Sequence, residues 1–187
     1  EFLDVDAQGL SVAPPDDKKA CAVPVHFGGR RVRLERFSGR TSCLIEDAAQ
    51  SFGSRPGRDE PNADFTVYSF YPTKNLGGHG EGGAVVCRNA DDANRLRRLR
   101  NHGLNGNEPV ERGWNARMGS YQAVVLNVKL RHFPGFAAAR QERASRYAAC
   151  LASTPLRHDG FEETEVPNFY SVFHPERDKL RRLLLDQ

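Results

Sequence analysis

The sequence has no apolar run approaching the length of about 20 residues that spans a bilayer, which removes membrane-spanning helices from consideration. It has no C-x-x-C pair. Its four cysteines, Cys21, Cys43, Cys87 and Cys150, are spaced for neither a zinc site nor a disulfide framework, so no metal is expected. Three of them sit in apolar, strand-like runs, where a free thiol is expected to be buried and to act as a small hydrophobe; a reducing cytosol suits them. Charge of either sign is also scarce in excess: 27 Lys plus Arg stand against 24 Asp plus Glu, a net +3 too mild to point to nucleic acid. The nearest basic cluster is Arg95, Arg97, Arg98 and Arg100. Leu96 and Leu99 lie among them at helical spacing, which predicts an amphipathic helix with solvated arginines. The first residues carry neither a basic leader nor a long apolar stretch, so no secretory signal is read there. Glu1 stands where an initiator Met would, and the chain is expected to be an excerpt of a longer protein.

A hydrophobic fraction of 39% supports a packed core, and 187 residues suit one domain with additions. Strand-length apolar runs occur at Phe2–Val5, Ala20–Val25, Cys43–Ile45, Phe65–Tyr71 and Ala84–Cys87. Most are continuous rather than alternating, which predicts strands covered on both faces in an α/β layer. Helical patterns follow at Asp91–Asn101, Ser120–His132, Ala137–Leu151 and Glu176–Leu185. Strands first and helices later differs from regular alternation and fits a window on a larger fold. Ser51–Ala63 and His102–Trp114 read as loops, and the polar tail from Ser153 to Pro175 is weakly periodic.

Two stretches carry residues suited to chemistry. Leu44-Ile45-Glu46-Asp47 brings carboxylates to the end of a strand, where open α/β sheets bind ligands. Read alone, Asp47 is better explained as the cap of a helix starting at Ala48. The second stretch is Tyr68-Ser69-Phe70-Tyr71-Pro72-Thr73-Lys74-Asn75-Leu76, followed by five glycines between Gly77 and Gly83. These glycines permit close backbone approach to a bulky ligand, and Lys74 would point from a constrained turn into that region. A phosphate-binding P-loop requires its glycines before the lysine, and here they come after it.

Four motifs occur in order: EDAAQSFGS from Glu46, YSFYPTKNLGGHGEGGAVV from Tyr68, RLRNHG from Arg98, and RGWNARMGSYQAVVLNVKL from Arg112. Together with EFLDVD and PVHFGG, they make the chain similar to the DegT/DnrJ/StrS family of sugar aminotransferases, which use pyridoxal 5'-phosphate (PLP). The similarity extends to about Arg146. The resemblance implies an α/β, aspartate-aminotransferase-like (type I PLP) fold with a mostly parallel sheet. Residues 1–135 would form part of the PLP-binding large domain, and 136–187 a linking helix and the truncated start of a small C-terminal domain. By the same resemblance, Lys74 matches the lysine that bonds covalently to the cofactor. Asp47 matches the carboxylate paired with the pyridine nitrogen, and Gln50 the residue beside it that faces the ring. Ser69 matches a phosphate ligand, and Asn115 an asparagine that reaches the phosphate from the neighbouring subunit of a homodimer with shared sites.

The chemistry independently calls for these residue types. A lysine amine condenses with an aldehyde, a carboxylate keeps the ring nitrogen protonated, and hydroxyl and amide donors hold a phosphate dianion. The implied reaction moves an amino group from an amino acid, glutamate, to a nucleotide-linked keto-sugar. Relatives that remove a sugar hydroxyl carry histidine at the lysine position, so Lys74 places this chain with the aminotransferases. His26, His79 and His102 are read as structural. Gly119, Ser120 and Tyr121 depart from the family pattern of an acidic residue and a leucine before Gln122 and Ala123. The family's N-terminal phosphate donors and ring-stacking side chain have no counterpart before Glu1. A second reading is therefore a truncated PLP-binding or dimerising remnant without turnover, and a third an unrelated α/β nucleotide-binding module.

Overall fold

Strand β2, Thr41–Asp47, is central to the sheet because two parallel partners use both of its edges. The computed structural model describes residues 5–6, 9–12, 16–56, 63–158 and 160–186. Strand β1, Asp17–Ala22, pairs in parallel with β2 through Cys21↔Cys43 and Ala22↔Leu44. Strand β3, Phe65–Ser69, pairs in parallel on the other side, and β4, Gly83–Cys87, closes the order β1-β2-β3-β4 antiparallel to β3. The β-branched and aromatic residues of β3, and the aliphatic pairs of β2 and β4, favour this pleated setting. The expected run Ala20–Val25 thus starts earlier and ends at Ala22, with Val25 making an isolated bridge to Asp47. Of the expected strand Phe2–Val5, Phe2 to Asp4 lie outside the described residues, while Val5 bridges Ser11.

A parallel pair needs a crossover, and helices usually supply it. Here two short 3-10 turns, Phe27–Gly29 and Leu34–Arg36, lie between β1 and β2. They lower Val32, Leu34 and Phe37 onto Ala22, Leu44 and Ala63 as one core cluster. Burial of each large side chain contributes about 1.5–3 kcal/mol. The opposite end of the sheet is less covered than its continuous apolar runs predict: Val85 and Val86 of β4 are 45% and 57% exposed. The thiols also depart from expectation, since Cys21 and Cys150 are exposed and Cys43 and Cys87 are half-buried.

Helix α1, Ala90–Leu99, starts where Asn89 Oδ1 accepts the Asp92 N–H at 2.9 Å. Asp91 and Asp92 in its first turn and Arg97 and Arg98 in its last suit the helix dipole. Leu96 and Leu99 are half-buried while Arg95, Arg97 and Arg100 are exposed, so the amphipathic reading describes it. Arg95 and Arg98 are nonetheless paired, both with Glu111, at 3.1 and 3.2 Å. The expected loop His102–Trp114 contains a small hairpin, β5 Leu104–Asn105 with β6 Glu108–Pro109.

Helix α2 runs unbroken over Ser120–Leu151, where two helices separated near Pro134 were expected. Proline inside a helix removes one hydrogen bond and crowds the preceding turn. Packing on both sides of it holds the helix together: Leu126 and Phe133 are buried with Phe70 and Leu76, and Ala137 packs against the same cluster. The Phe133 ring meets that of Phe52 edge-on at 5.0 Å. A Cβ on Gly53 would lie 2.5 Å from the Phe133 ring, so the backbone there, at φ +93°, leaves space for glycine only. After α2 come the short pair β7 Arg157–His158 and β8 Val172–Phe173, then α3 Arg177–Leu185. No helix among the described residues is long and apolar enough to cross a membrane. Phe133→Ala should lower unfolding free energy by about 3–5 kcal/mol, the range for truncating a buried aromatic, as measured by denaturant unfolding.

Candidate functional site

Parallel strands leave a sheet at the same end, and the chemistry-bearing residues collect there. The segment after β1 is held to the end of β2 by Asp47 N–H to Pro24 O at 2.9 Å and His26 N–H to Asp47 O at 3.0 Å. The segment after β2 is held to β3 by Ala48 N–H to Val67 O at 2.9 Å. Asp47, paired with Val67, and Ser69, two residues farther along β3, therefore stand at adjacent strand ends. Alternation puts both on the sheet face opposite Glu46, Thr66 and Tyr68.

Local hydrogen bonds shape each side chain. Asp47 Oδ1 accepts the Ala49 N–H at 3.0 Å and caps a turn; the helix it was expected to cap is not formed, because Ser51 N–H closes back on Ala48 O. Gln50 Oε1 accepts the Gly28 N–H at 2.8 Å, tying the first and second exits together. Ser69 Oγ accepts the Tyr71 N–H at 3.3 Å, which leaves its own O–H to donate. Lys74 is half-buried in a turn closed by its N–H to Tyr71 O at 2.9 Å. That turn lies between Phe70 and Leu76, two members of the core cluster under α2.

The glycine run after Lys74 folds tightly back into β4. A Cβ on Gly77 would approach Pro72 O to 2.3 Å, so the turn closes only with glycine there. Two α2 side chains fasten the run: Lys129 Nζ donates to Gly77 O, and Gln122 Oε1 accepts the His79 N–H at 2.8 Å. Sequence reasoning noted Gln122 but assigned it no contact, and gave Lys129 no role. Their positions facing the loop follow from the packing of Leu126 between them.

Behind the strand ends lies a buried charge network. Glu46 Oε1 meets His26 Nε2 at 2.6 Å and Arg31 Nη2 at 2.8 Å, and its Oε2 accepts the Thr66 hydroxyl at 2.6 Å. The Val32 N–H donates to His26 Nδ1 at 2.9 Å, so Nε2 carries the proton given to Glu46. Burial alone would raise the Glu46 carboxyl, but hydrogen bonds from His26 and Thr66 and the Arg31 charge outweigh it and hold the group at about 2. His26 is fully buried and serves the network as a structural residue. A cavity of about 370 Å³ lined by Arg31, Glu46, Thr66, Tyr68 and Arg88 adjoins it and contains none of the five expected site residues.

A segment from the tail crosses all three exits. Arg31 N–H donates to Glu165 Oε1 at 2.7 Å, Val166 N–H to Ser54 Oγ at 2.8 Å, and Asn168 N–H to Gly28 O at 2.8 Å. Asn75, beside Lys74, is buried and donates through Nδ2 to Phe52 O at 3.1 Å and Val166 O at 3.0 Å. Asn168 Nδ2 reaches Thr73 O at 3.3 Å and Asn75 Oδ1 at 3.1 Å. Neither asparagine was singled out from the sequence.

Asn115 is placed apart from this arrangement. It is exposed, bridges Asn101 after α1, and shares no hydrogen bond with the other four residues. His79 is exposed, with its ring 6.3 Å from that of Tyr121, and His102 occupies a left-handed turn at φ 60°. No group of three His, Cys, Asp or Glu side chains able to hold a metal occurs among the described residues.

A family model matches residues 5–186. The chain belongs to the DegT/DnrJ/EryC1/StrS aminotransferase family. It is 37% identical to a dTDP-3-amino-3,4,6-trideoxy-alpha-D-glucose transaminase of Micromonospora megalomicea subsp. nigra, over 99% of this chain and 52% of the relative. A family aminotransferase from Brucella abortus superposes with TM-score 0.78 at 29% identity, over 88% of this chain and 46% of that one. S. venezuelae DesV, solved in complex with a ketimine intermediate, gives TM-score 0.76 at 31% identity, over 88% and 47%. The chain spans about half the length of the curated relatives it matches. These likenesses establish the aspartate-aminotransferase-like α/β fold of this DegT/DnrJ/EryC1/StrS chain.

In this family member the ionised Glu46 network stabilises the end of β2. The folded carboxyl titrates near 2 and the unfolded one near its ordinary 4.5, so this stability is present above pH 4.5 and lost as pH falls toward 2. Glu46→Gln should reduce unfolding free energy near pH 7 by on the order of 2–3 kcal/mol, with the gap from wild type narrowing as pH drops through that window. Denaturant titrations across pH measure both; a gap independent of pH contradicts the account.

Proposed function

We propose that this chain is part of a PLP-dependent aminotransferase that moves an amino group from an amino acid, glutamate, to the keto group of a nucleotide-linked sugar. The observation that carries the reading is the placement of Asp47, Ser69 and the Lys74 turn at the ends of adjacent strands. Relatives named for dTDP-linked and UDP-linked amino sugars support the substrate class. DesV with its ketimine, and DesI solved with its TDP-sugar product, support the cofactor and the sugar nucleotide.

The residues present fit PLP. Ser69 has a hydroxyl proton to give a phosphate oxygen, Asp47 keeps Oδ2 for a protonated ring nitrogen, and Lys74 sets an amine on a turn fixed from both sides. Gln50, anchored by Gly28, would face the ring. Asn115 would reach the phosphate from a second copy, which explains its distance from the other contacts in one chain. Exposed Trp114, Tyr121, Val124 and Val128 near it support a homodimer with shared sites.

When bound, PLP supplies an aldehyde that links covalently to amines and a ring that accepts electrons from a neighbouring carbon. The chain's own residues do the rest. The donor's amino group would displace the Lys74 amine from its covalent link to PLP, and the freed amine would take the proton from the donor's α-carbon and deliver it to the cofactor's aldehyde carbon. Asp47 would hold the ring-nitrogen proton in place while this happens. In the second half-reaction the same lysine would move a proton from that cofactor carbon to the sugar carbon that receives the amine.

Residues 1–135 would form part of the large domain, and 136–187 the linking helix and the start of the small one. Nucleotide-sugar chemistry supports a cytoplasmic location. The exposed β4 valines motivate one second reading, a PLP-binding or dimerising remnant without turnover. With PLP added, the wild-type chain should acquire the visible absorbance of a lysine-bound cofactor, and Lys74→Ala should show less than a tenth of it, as expected when the covalent nucleophile is removed. Unchanged colour in Lys74→Ala sinks the assignment. Loss of the colour on adding glutamate supports turnover, and its persistence supports the remnant.

A further inference from the structure

Lys74 sits in a turn that its own neighbours cannot fix alone. Within the turn the closing bond is Lys74 N–H to Tyr71 O, and the flanking residues Thr73 and Asn75 are instead held from the far end of the chain. Asn75 has satisfied its side-chain NH2 group with two backbone carbonyls, and its Oδ1 accepts from the side-chain Nδ2 of Asn168. Asn168 Nδ2 spends both of its protons on the two residues either side of Lys74. Its own Oδ1 is buried without a hydrogen-bond partner, so the orientation of this amide is set by its two donated bonds.

The backbone around Asn168 is equally committed. Glu165, Val166 and Pro167 are buried, and Asn168 and Phe169 N–H groups both converge on Gly28 O at 2.8 and 3.2 Å. A Cβ on Gly29 would lie 2.3 Å from Val166 O, a measure of how closely the two backbones touch. The segment is thus anchored independently on the exits of β1 and β2 before it meets the lysine turn. A side chain projected from such an anchored backbone sets the position of whatever it bonds.

We propose that Asn168 is a positioning residue for Lys74, acting through its paired donation to Thr73 O and Asn75 Oδ1. This rests on the proposed role of Lys74 as the cofactor-linked amine. A catalytic group displaced by about 1 Å loses on the order of 100-fold in rate, so a turn freed to move should lose much of its competence without unfolding. Asn168→Asp keeps the size of the side chain but replaces both donors with acceptors facing acceptors. Gln141 provides the control, because its Nε2 holds Glu163 O and Glu165 O at 2.9 Å each at the other end of the segment, away from Thr73 and Asn75.

Two readouts on the full chain test this. Without cofactor, hydrogen exchange at the Lys74 amide reports order in the turn. With PLP, borohydride trapping and peptide mass spectrometry report the rate and pH profile of covalent capture at Lys74. Asn168→Asp should speed amide exchange at Lys74, slow capture by about tenfold or more, and displace its pH profile. Gln141→Ala should leave the rate per folded molecule and the profile unchanged. Unaltered capture in Asn168→Asp overturns the proposal, whether or not exchange changes, and so does an equal loss in Gln141→Ala. If the wild type captures no PLP at Lys74, the cofactor reading itself fails, a result distinct from either.

Discussion

Parallel pairing on both edges of β2 makes three successive segments leave the sheet at one end, and most of the chain's organisation follows from that constraint. Backbone bonds between Pro24 and Asp47 and between Val67 and Ala48 leave the exits no freedom to splay. Residues separated along the chain are thereby carried on segments that leave the same end of the sheet. The antiparallel return of β4 adds a further effect, since the glycine run must turn back within a few residues and so draws the lysine turn against the core. Phe70 and Leu76 anchor that turn from below while Asn75 anchors it from the side. A half-buried lysine in a turn tied to the core is the outcome.

Electrostatics divides the end of β2 into two unlike faces. Adjacent carboxylates in a buried strand would repel if they shared a face, but alternation sends Glu46 and Asp47 to opposite sides. Glu46 is surrounded by donors and is saturated by His26, Arg31 and Thr66. Asp47 takes one local N–H and keeps acceptor capacity. Removing a single partner from the saturated group leaves a buried charge uncompensated, the costly case for ion pairs, whereas the open group is poised for an outside cation or proton.

Read alone, Asp47 is a cap and Lys74 a loop lysine marked out by the glycine run behind it; their cofactor roles, and that of Ser69, come from the family resemblance. Gln50 and Asn115 are likewise assigned by resemblance, and of these two only Gln50 has a side-chain bond that ties strand exits together. The break expected at Pro134 reflected local backbone chemistry, which the packing of Phe133 and Ala137 overrode. The crossover between β1 and β2 was hard to read for a related reason. Val32, Leu34 and Phe37 have no helical period, and their burial depends on the sheet beneath them. Asn75 and Asn168 left no signal at all, since each is an ordinary polar residue whose meaning lies in a partner about ninety positions away.

That separation has a consequence for how the molecule is made. Loop closure over such a span comes late, after local turns and neighbouring strands have formed. A chain emerging from the ribosome N-terminus first would complete its sheet, its glycine loop and the first half of α2 while the lysine turn was still held on one side only. The contacts that finish the turn form after those of the strands and of the glycine loop, so the lysine is in place before its turn is fully held.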